Sequence, residues 1–524
     1  MKAKAGFLSL AEELQFYILS FLTCRDILRC TSVCKALRQT YTSSSELQYI
    51  IELSGQRLLP VSNVVDHTSI SKRLQLLRDK AHAWFKFNLH SFETVSLPEE
   101  LSSVHTFVAD GHLCSWEADE DSAMIFPILP KPSRRQVKRD WSPGTLCSVP
   151  HATNLDVFMD PAQNLLAVVY AVPGGPLQSD ETVYIDLRAL DGDSVHPQAA
   201  GRTLILSELL GFNTNYAKLK GFEKNIALLR RQRGTPVALR PSSDRMWQLQ
   251  IWDWQNSTAS NCVLSDTFLD LHNEVDISFL GNNRLIVVTD NLKLYSIEDM
   301  SQTPQLLAYF LLPFTLPNLE CLPMDDIQHS SEPQMQVPQT MYTSDPKNRL
   351  LCITSSSRTQ VFIISTRIFF DLDGMAGATP IPWKCWGPSN TRIFRHADPC
   401  SVQVSGNRVL QAFPVHEQYP IHTEYILHLM DFSPLAVANR RGLGRVVKEP
   451  STIATDAPRE SLTTSLPYVE VVLDRKFGSD VSELDDIWAD KDRIYLLNAN
   501  WERGDETCIL CDEPQSRWLE VVEV

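Results

Sequence analysis

The sequence predicts an α+β multidomain chain: a small all-α N-terminal module and a helical linker, followed by an all-β, propeller-like domain of about seven divergent blades. Three observations carry that prediction. Apolar residues near the N-terminus recur at helical spacing, as in Leu10, Leu14, Ile18 and Leu22. Beyond residue 90 the texture changes to short β-rich runs broken by Gly, Pro, Asn and Asp. Within those runs, one turn-plus-apolar-triplet pattern returns about every sixty residues.

Residues 1–45 form the first module. Lys2 and Lys4 ahead of an apolar run mimic a secretory leader, but Glu12, Glu13 and Gln15 interrupt the apolar core such a leader needs, so no targeting segment is expected. Ser9 with Glu12 fits a capping box, and Glu12 and Glu13 put negative charge at the positive end of a first helix. Thr23 with Asp26 repeats the cap, and Ile27, Cys30, Thr31, Cys34, Leu37 and Tyr41 continue a helical stripe beyond it. Roughly forty residues bury little surface on their own. Either another protein completes this apolar surface, as a helix in a groove, or the rest of the chain does.

Residues 46–90 are expected to be a helical linker. SSSELQYIIEL (Ser43 to Leu53) has cap residues and an apolar run, and Ile70, Leu74, Leu77, Ala81 and Trp84 recur at helical spacing. Residues 91–524 hold the repeats. Anchored on the first residue of each triplet, they fall at Leu113, Leu165, Ile226, Leu285, Leu350, Val409 and Ile494, with spacings of 52, 61, 59, 65, 59 and 85. Units of about sixty residues accommodate four short strands each, as a propeller blade requires. A pair of β-sandwiches would not produce that period. Two stretches look like loop insertions, near 313–345 and 440–466, and the second leaves room for a degenerate eighth blade. Trp252 and Asp253 resemble the end of a WD-repeat strand, but the pair occurs once, so a regular WD array is not expected.

The first module resembles the F-box. That pattern runs approximately L-P-x-E-L, three variable positions, I-L-S-x-L, then D-L, then V-C-[KR], and is met here by Leu10, Glu13, Leu14, Ile18, Leu19, Ser20, Leu22, Asp26, Ile27, Val33, Cys34 and Lys35. Ala11 stands where the family has proline, a small loss because alanine is the best helix former. Leu37 stands where the family has tryptophan, which trims buried area. The layout as a whole is similar to a group of fungal F-box proteins with an ELQYxIEL helix (Glu46, Leu47, Gln48, Tyr49, Ile51, Glu52 and Leu53) and a divergent β-rich C-terminal region. To that group PWKCWGPSNTRIF adds Pro382, Trp383, Trp386, Gly387, Pro388, Asn390, Thr391, Arg392 and Phe394.

The resemblance implies docking to a Skp-family adaptor and through it to a cullin. The C-terminal domain would hold an unknown protein substrate. Leu10, Glu13, Leu14, Ile18, Leu19, Leu22, Ile27, Val33, Cys34 and Leu37 are the residues it implies for the helical module and its adaptor contact. The chain's own contribution would be proximity, raising the effective concentration of a substrate lysine near the ubiquitin-transfer machinery. The rival expectations are an adaptor-bound scaffold that recruits no cullin and a propeller that binds a small ligand.

Composition and motif searches bound the alternatives. A net charge of −15 argues against general binding to nucleic acid or anionic membranes, and no run of eighteen apolar residues offers a transmembrane segment. Twelve scattered cysteines without a leader point to reduced thiols in a cytoplasmic or nuclear protein. Cys508 and Cys511 lack the second pair that a zinc site needs, and His416 and His422 straddle a proline, so no metal is expected. Gly442 to Val447 carries half a dinucleotide fingerprint and reads as a loop; DLDGMAG and ALDGDS read as turns; Asp325, Asp326, Asp485 and Asp486 have no evident partner. Arg134, Arg135, Lys138 and Arg139 read as a solvated loop, with nuclear import as the alternative. Trp383, Trp386, Arg392 and Phe394 read as propeller packing before recognition surface. No nucleophile elbow, phosphate loop or helical zinc motif occurs, so neither catalytic residues nor a cofactor is expected.

Overall fold

The protein is represented by a computed structural model that describes residues 6–61, 68–86, 92–98, 105–130, 136–147, 149–173, 182–207, 214–232, 245–268, 274–314, 319–322, 342–355, 360–372, 379–395, 402–415, 424–438, 442, 444–454, 461–478, 482–490, 492–500 and 516–523. Its helices come first. Helices α1 (Glu12–Ser20), α2 (Cys24–Val33), α3 (Lys35–Ser43) and α4 (Ser45–Gly55) close around Leu19, Ile27, Leu37, Leu47 and Ile51. α4 is amphipathic on two sides. Leu47 and Ile51 enter that core, while Tyr49 and Leu53 pack on Leu74 and Leu77 of α5 (Ile70–Ala83). Glu52, buried in this second contact, is held by Arg78 at 3.2 Å.

Capping follows the sequence at one helix and departs from it at another. The Thr23 hydroxyl accepts the Asp26 N–H at 3.3 Å and starts α2. Ser9 does not cap α1. It ends a short 3-10 turn (Phe7–Ser9) and donates to the Gly6 carbonyl at 2.6 Å, after which Leu10 is extended and Ala11 takes the cap position without a side-chain acceptor.

Strands β1 (Leu58–Pro60) and β2 (Glu93–Ser96) precede the ring. Blade one is β3 (His105–Ala109), β4 (His112–Glu117), β5 (Ser122–Pro127) and β6 (Arg139–Trp141); blade two is β7 (Thr153–Asp160), β8 (Leu165–Val172), β9 (Thr182–Ala189) and β10 (Thr203–Leu204). Blade three is β11 (Thr214–Phe222), β12 (Asn225–Gln232), β13 (Arg245–Asp253) and β14 (Val263–Phe268); blade four is β15 (Asp276–Phe279), β16 (Arg284–Val288), β17 (Asn291–Ser296) and β18 (Gln305–Leu311). Blade five begins with β19 (Leu319–Cys321), sends out β20 (Tyr342–Ser344), and continues with β21 (Leu350–Ser355), β22 (Gln360–Ser365) and β23 (Thr391–Arg395). Blade six has β24 (Val402–Ser405), β25 (Arg408–Pro414) and β26 (Tyr425–Asp431), with β27 (Arg445–Val447) added outside β30 (Tyr468–Phe477). Blade seven is β31 (Ser482–Ala489), β32 (Arg493–Asn500) and β33 (Ser516–Glu523), completed by β2, whose Val95 pairs with Leu519.

The repeat anchors all fall at the start of second strands: Leu113 in β4, Leu165 in β8, Ile226 in β12, Leu285 in β16, Leu350 in β21, Val409 in β25 and Ile494 in β32. A second strand is covered on both faces by neighbouring blades, so it reads as a continuous apolar run. In β21 all six residues are buried. The core is accordingly divided into wedges, one between each pair of consecutive blades, with Leu113 and Val108 of blade one against Tyr495 and Leu519 of blade seven closing the circle.

The wide last spacing holds no eighth blade among the described residues. It holds β27 and a hairpin of β28 (Ser451–Ala454) and β29 (Ser461–Thr464), which folds back against blade five beside α6 (Trp383–Asn390). Arg392, 2% exposed, fixes that return by donating to the carbonyls of Glu449 and Thr464. Trp386 is buried against Phe310 in the wedge between blades four and five, as packing rather than recognition would have it. Trp252 and Trp254 are likewise fully buried.

The helical module sits on one face of the ring. First-to-second-strand and third-to-fourth-strand connections share that face in a four-stranded antiparallel blade, and it is these that the module touches. β1 pairs with β20, Arg57 donates to Asn348 at 2.7 Å, Lys80 meets Asp492 at 2.6 Å, and Gly55 of α4 lies against Leu435 of the short helix α7 (Pro434–Val437). Trp84, 4% exposed, follows α5 into the wedge between blades six and seven, under the Arg408 guanidinium at 4.6 Å.

Candidate functional site

α1 presents two faces. Gln15 and Leu19 turn inward, the Gln15 amide donating to the Leu10 carbonyl at 2.8 Å. Leu14, Tyr17, Ile18 and Phe21 turn outward, at 51%, 59%, 42% and 72% exposure, and Leu10 lies in line ahead of them. The spacings i, i+3, i+4 and i+7 put these four on one helix face. The Tyr17 and Phe21 rings meet edge to face at 4.8 Å. Val33, at the end of α2, is 75% exposed. Seven of the sixteen large apolar side chains exposed among the described residues lie between Leu8 and Val33, so exposed apolar surface is concentrated in this module. Such a patch marks an interaction surface.

The ten residues expected at the adaptor contact divide by what they touch. Leu19, Ile27 and Leu37 are buried in the helical core; Leu22 and Cys34 pack against its edge; Leu10, Glu13, Leu14, Ile18 and Val33 are exposed. Neither Tyr17 nor Phe21 is among them, yet both extend the outward face. Their spacing from Leu14 was the available signal. Asp26, at the rim, has its pKa lowered by hydrogen bonds from the Thr23 hydroxyl and then Arg29. Cys24, Cys30 and Cys34 are free thiols, as are the six other cysteines described.

One charged cluster of the ring lies on first strands. Lys218 and Lys220 of β11 both reach Asp276 of β15, at 3.0 and 2.9 Å, and Lys218 also reaches Glu320 of β19 at 3.1 Å. Burial pushes the Asp276 carboxyl up, but the two ammonium groups and the Cys321 N–H more than reverse this, leaving it at about 2. Asp156 of β7 accepts the N–H groups of Val157 and, across the blade boundary, Leu219; burial still pushes its carboxyl up to about 6. These groups bind one blade to the next. On the opposite face from the helices, Arg231 lies over the Tyr216 ring at 3.9 Å and meets Glu274 at 3.4 Å.

The remaining motifs are absorbed by structure or fall outside the described residues. Asp191 is a turn residue bonded to Asn164, and Asp485 is the extra residue of a bulge in β31, with Asp486 back in register opposite Leu497. Cys508, Cys511, His416, His422, Asp325, Asp326, Arg134 and Arg135 lie outside the described residues, as does most of DLDGMAG. Among the described residues no group of three or more His, Cys, Asp or Glu side chains is placed to hold a metal, and no helix is long and apolar enough to cross a membrane.

Residues 7–44 match the F-box domain family. No curated protein matches the chain. Similar solved structures include apo AztD from Citrobacter koseri, 13% identical over 72% of this chain and 75% of that one at a TM-score of 0.28. Others are a puromycin hydrolase, 13% identical over 78% and 50% at 0.31, and the hydrazine synthase of Kuenenia stuttgartiensis, 11% identical over 56% and 83% at 0.31. At these TM-scores the likeness extends to neither activity nor ligand.

Proposed function

We propose that this chain, an F-box domain carried on a seven-bladed propeller, is a substrate-receptor subunit of an SCF-type ubiquitin ligase. It docks to a Skp-family adaptor through Leu10, Leu14, Tyr17, Ile18, Phe21 and Val33, and through the adaptor to a cullin. The observation that carries the reading is the outward apolar face of α1 within residues 7–44. Burying one such side chain contributes about 1.5–3 kcal/mol, so a few of them supply a stable contact. The propeller face opposite the helices is left for a protein substrate, which the chain holds rather than modifies. Free thiols suit the cytoplasm or nucleus.

The test is co-expression with the host's Skp-family adaptor, followed by size exclusion, with Leu14→Asp in parallel. Leu14 is half exposed, so the substitution leaves the helical core intact and circular dichroism unchanged. The expected result is a one-to-one complex with the wild type and none with the folded variant. Well-folded wild type eluting alone beside excess adaptor would remove the reading; an adaptor complex that never co-purifies a cullin would reduce it to a scaffold.

A further inference from the structure

Where the helical module meets the ring there is a cavity of about 80 Å³. Its walls come from both parts: Gln56 and Lys80 from the helices, Tyr342 from the strand that ties them to the ring, and Arg408, Asp431 and Ser433 from blade six. The charged groups on those walls are two cations, Lys80 and Arg408, and one anion, Asp431, in a chain whose net charge is −15. Asp431 is already engaged. One oxygen takes the Arg408 Nε–H at 3.3 Å, and the other takes the Ser433 N–H at 2.7 Å.

Arg408 is only half used. Beyond that one bond it stacks on Trp84, and its two terminal nitrogens meet no acceptor among the described residues. They form a planar fork of donors suited to an oxyanion. Lys80 lines the same space, with its ammonium on Asp492 at 2.6 Å and over the Tyr342 ring at 5.7 Å. Gln56 uses its amide nitrogen on Glu52 at 3.0 Å, which leaves its oxygen as an acceptor for a hydroxyl. A single water needs about 10–15 Å³ of such space, so the cavity has room for an anion of a few heavy atoms.

The geometry points to a binding site for a small oxyanion, phosphate or carboxylate, held between the Arg408 fork of the propeller and Lys80 of the linker helix. The site is independent of adaptor docking. Because its two cations belong to the two parts of the molecule, occupancy ties the helical module to the ring.

The experiment is thermal melting of the full-length chain in inorganic phosphate, in malonate and in chloride at matched ionic strength, for the wild type, Arg408→Gln and Lys80→Met. A ligand selective for the folded state raises the melting temperature saturably. The expected result is a saturable rise of roughly 3 °C over chloride at a hundredfold excess over Kd, lost in Arg408→Gln and reduced in Lys80→Met. Response to phosphate alone or to malonate alone identifies which oxyanion the site takes. Should Arg408→Gln lose its native circular dichroism, Lys80→Met decides in its place. No rise beyond chloride, or a rise undiminished in the folded variants, would overturn the site.

Discussion

Single residues in this chain are best separated by which surface they serve, and Asp276 shows how much one carboxylate can carry. It is buried between two ammonium groups and a backbone N–H, with a pKa of about 2 against about 3.9 in an unfolded chain. A pKa depressed on folding gives stability that is present above pH ~4 and is lost as pH falls from about 4 to 2. That difference corresponds to roughly 2–3 kcal/mol. Asp276→Asn should therefore lower the melting temperature at pH 7 by leaving Lys218 and Lys220 without their counter-charge, and should flatten the acid limb between pH 4 and 2 in a melting series. Asp156 has the opposite sign: its folded pKa of about 6 lies above the unfolded value, so it withdraws stability as pH rises from about 4 to 6. None of this was legible in the sequence. Asp276 looks like any strand-edge acid until β11 and β15 are adjacent.

At the scale of elements, what the sequence disclosed depended on burial. Second strands such as β8 and β21 are covered on both sides and announce themselves as apolar runs, which is why the anchors found them. Outer strands are short or half polar, as β6 and β10 are, and left no comparable mark. Helix α1 was legible as a helix, but its stripe of Leu10, Leu14 and Ile18 reads equally as core or contact. Only the inward turn of Leu19 decides between them. The capping box at Ser9 failed because the extended backbone at Leu10 carries the serine out of reach of the helix start. β2 was invisible, because ETVS is four residues of ordinary composition whose role depends on a partner at the far end of the chain. Its removal has a defined outcome. A fragment starting at Phe92 should give a cooperative melt, whereas one starting at Leu97 exposes β33 as an unpaired edge. That second fragment should melt lower and aggregate, as light scattering during heating would register.

For the whole molecule, the seven inter-blade wedges make the ring one cooperative body, and Trp84 makes the helices part of it. Removing a buried tryptophan costs about 3–5 kcal/mol. Trp84→Ala should thus split a single calorimetric transition into two, the helical module melting ahead of the ring, while the adaptor binding proposed for the outward face of α1 persists. The order of residues along the ring also has a consequence in time. β2 leaves the ribosome early, yet β33, the strand it must pair with, follows roughly 400 residues later, or about 20–80 s at ordinary rates of synthesis. Throughout that interval the N-terminal helices are complete and the ring is open. If the chain docks as proposed, a nascent copy is already within reach of the adaptor before it has anything with which to grip a target.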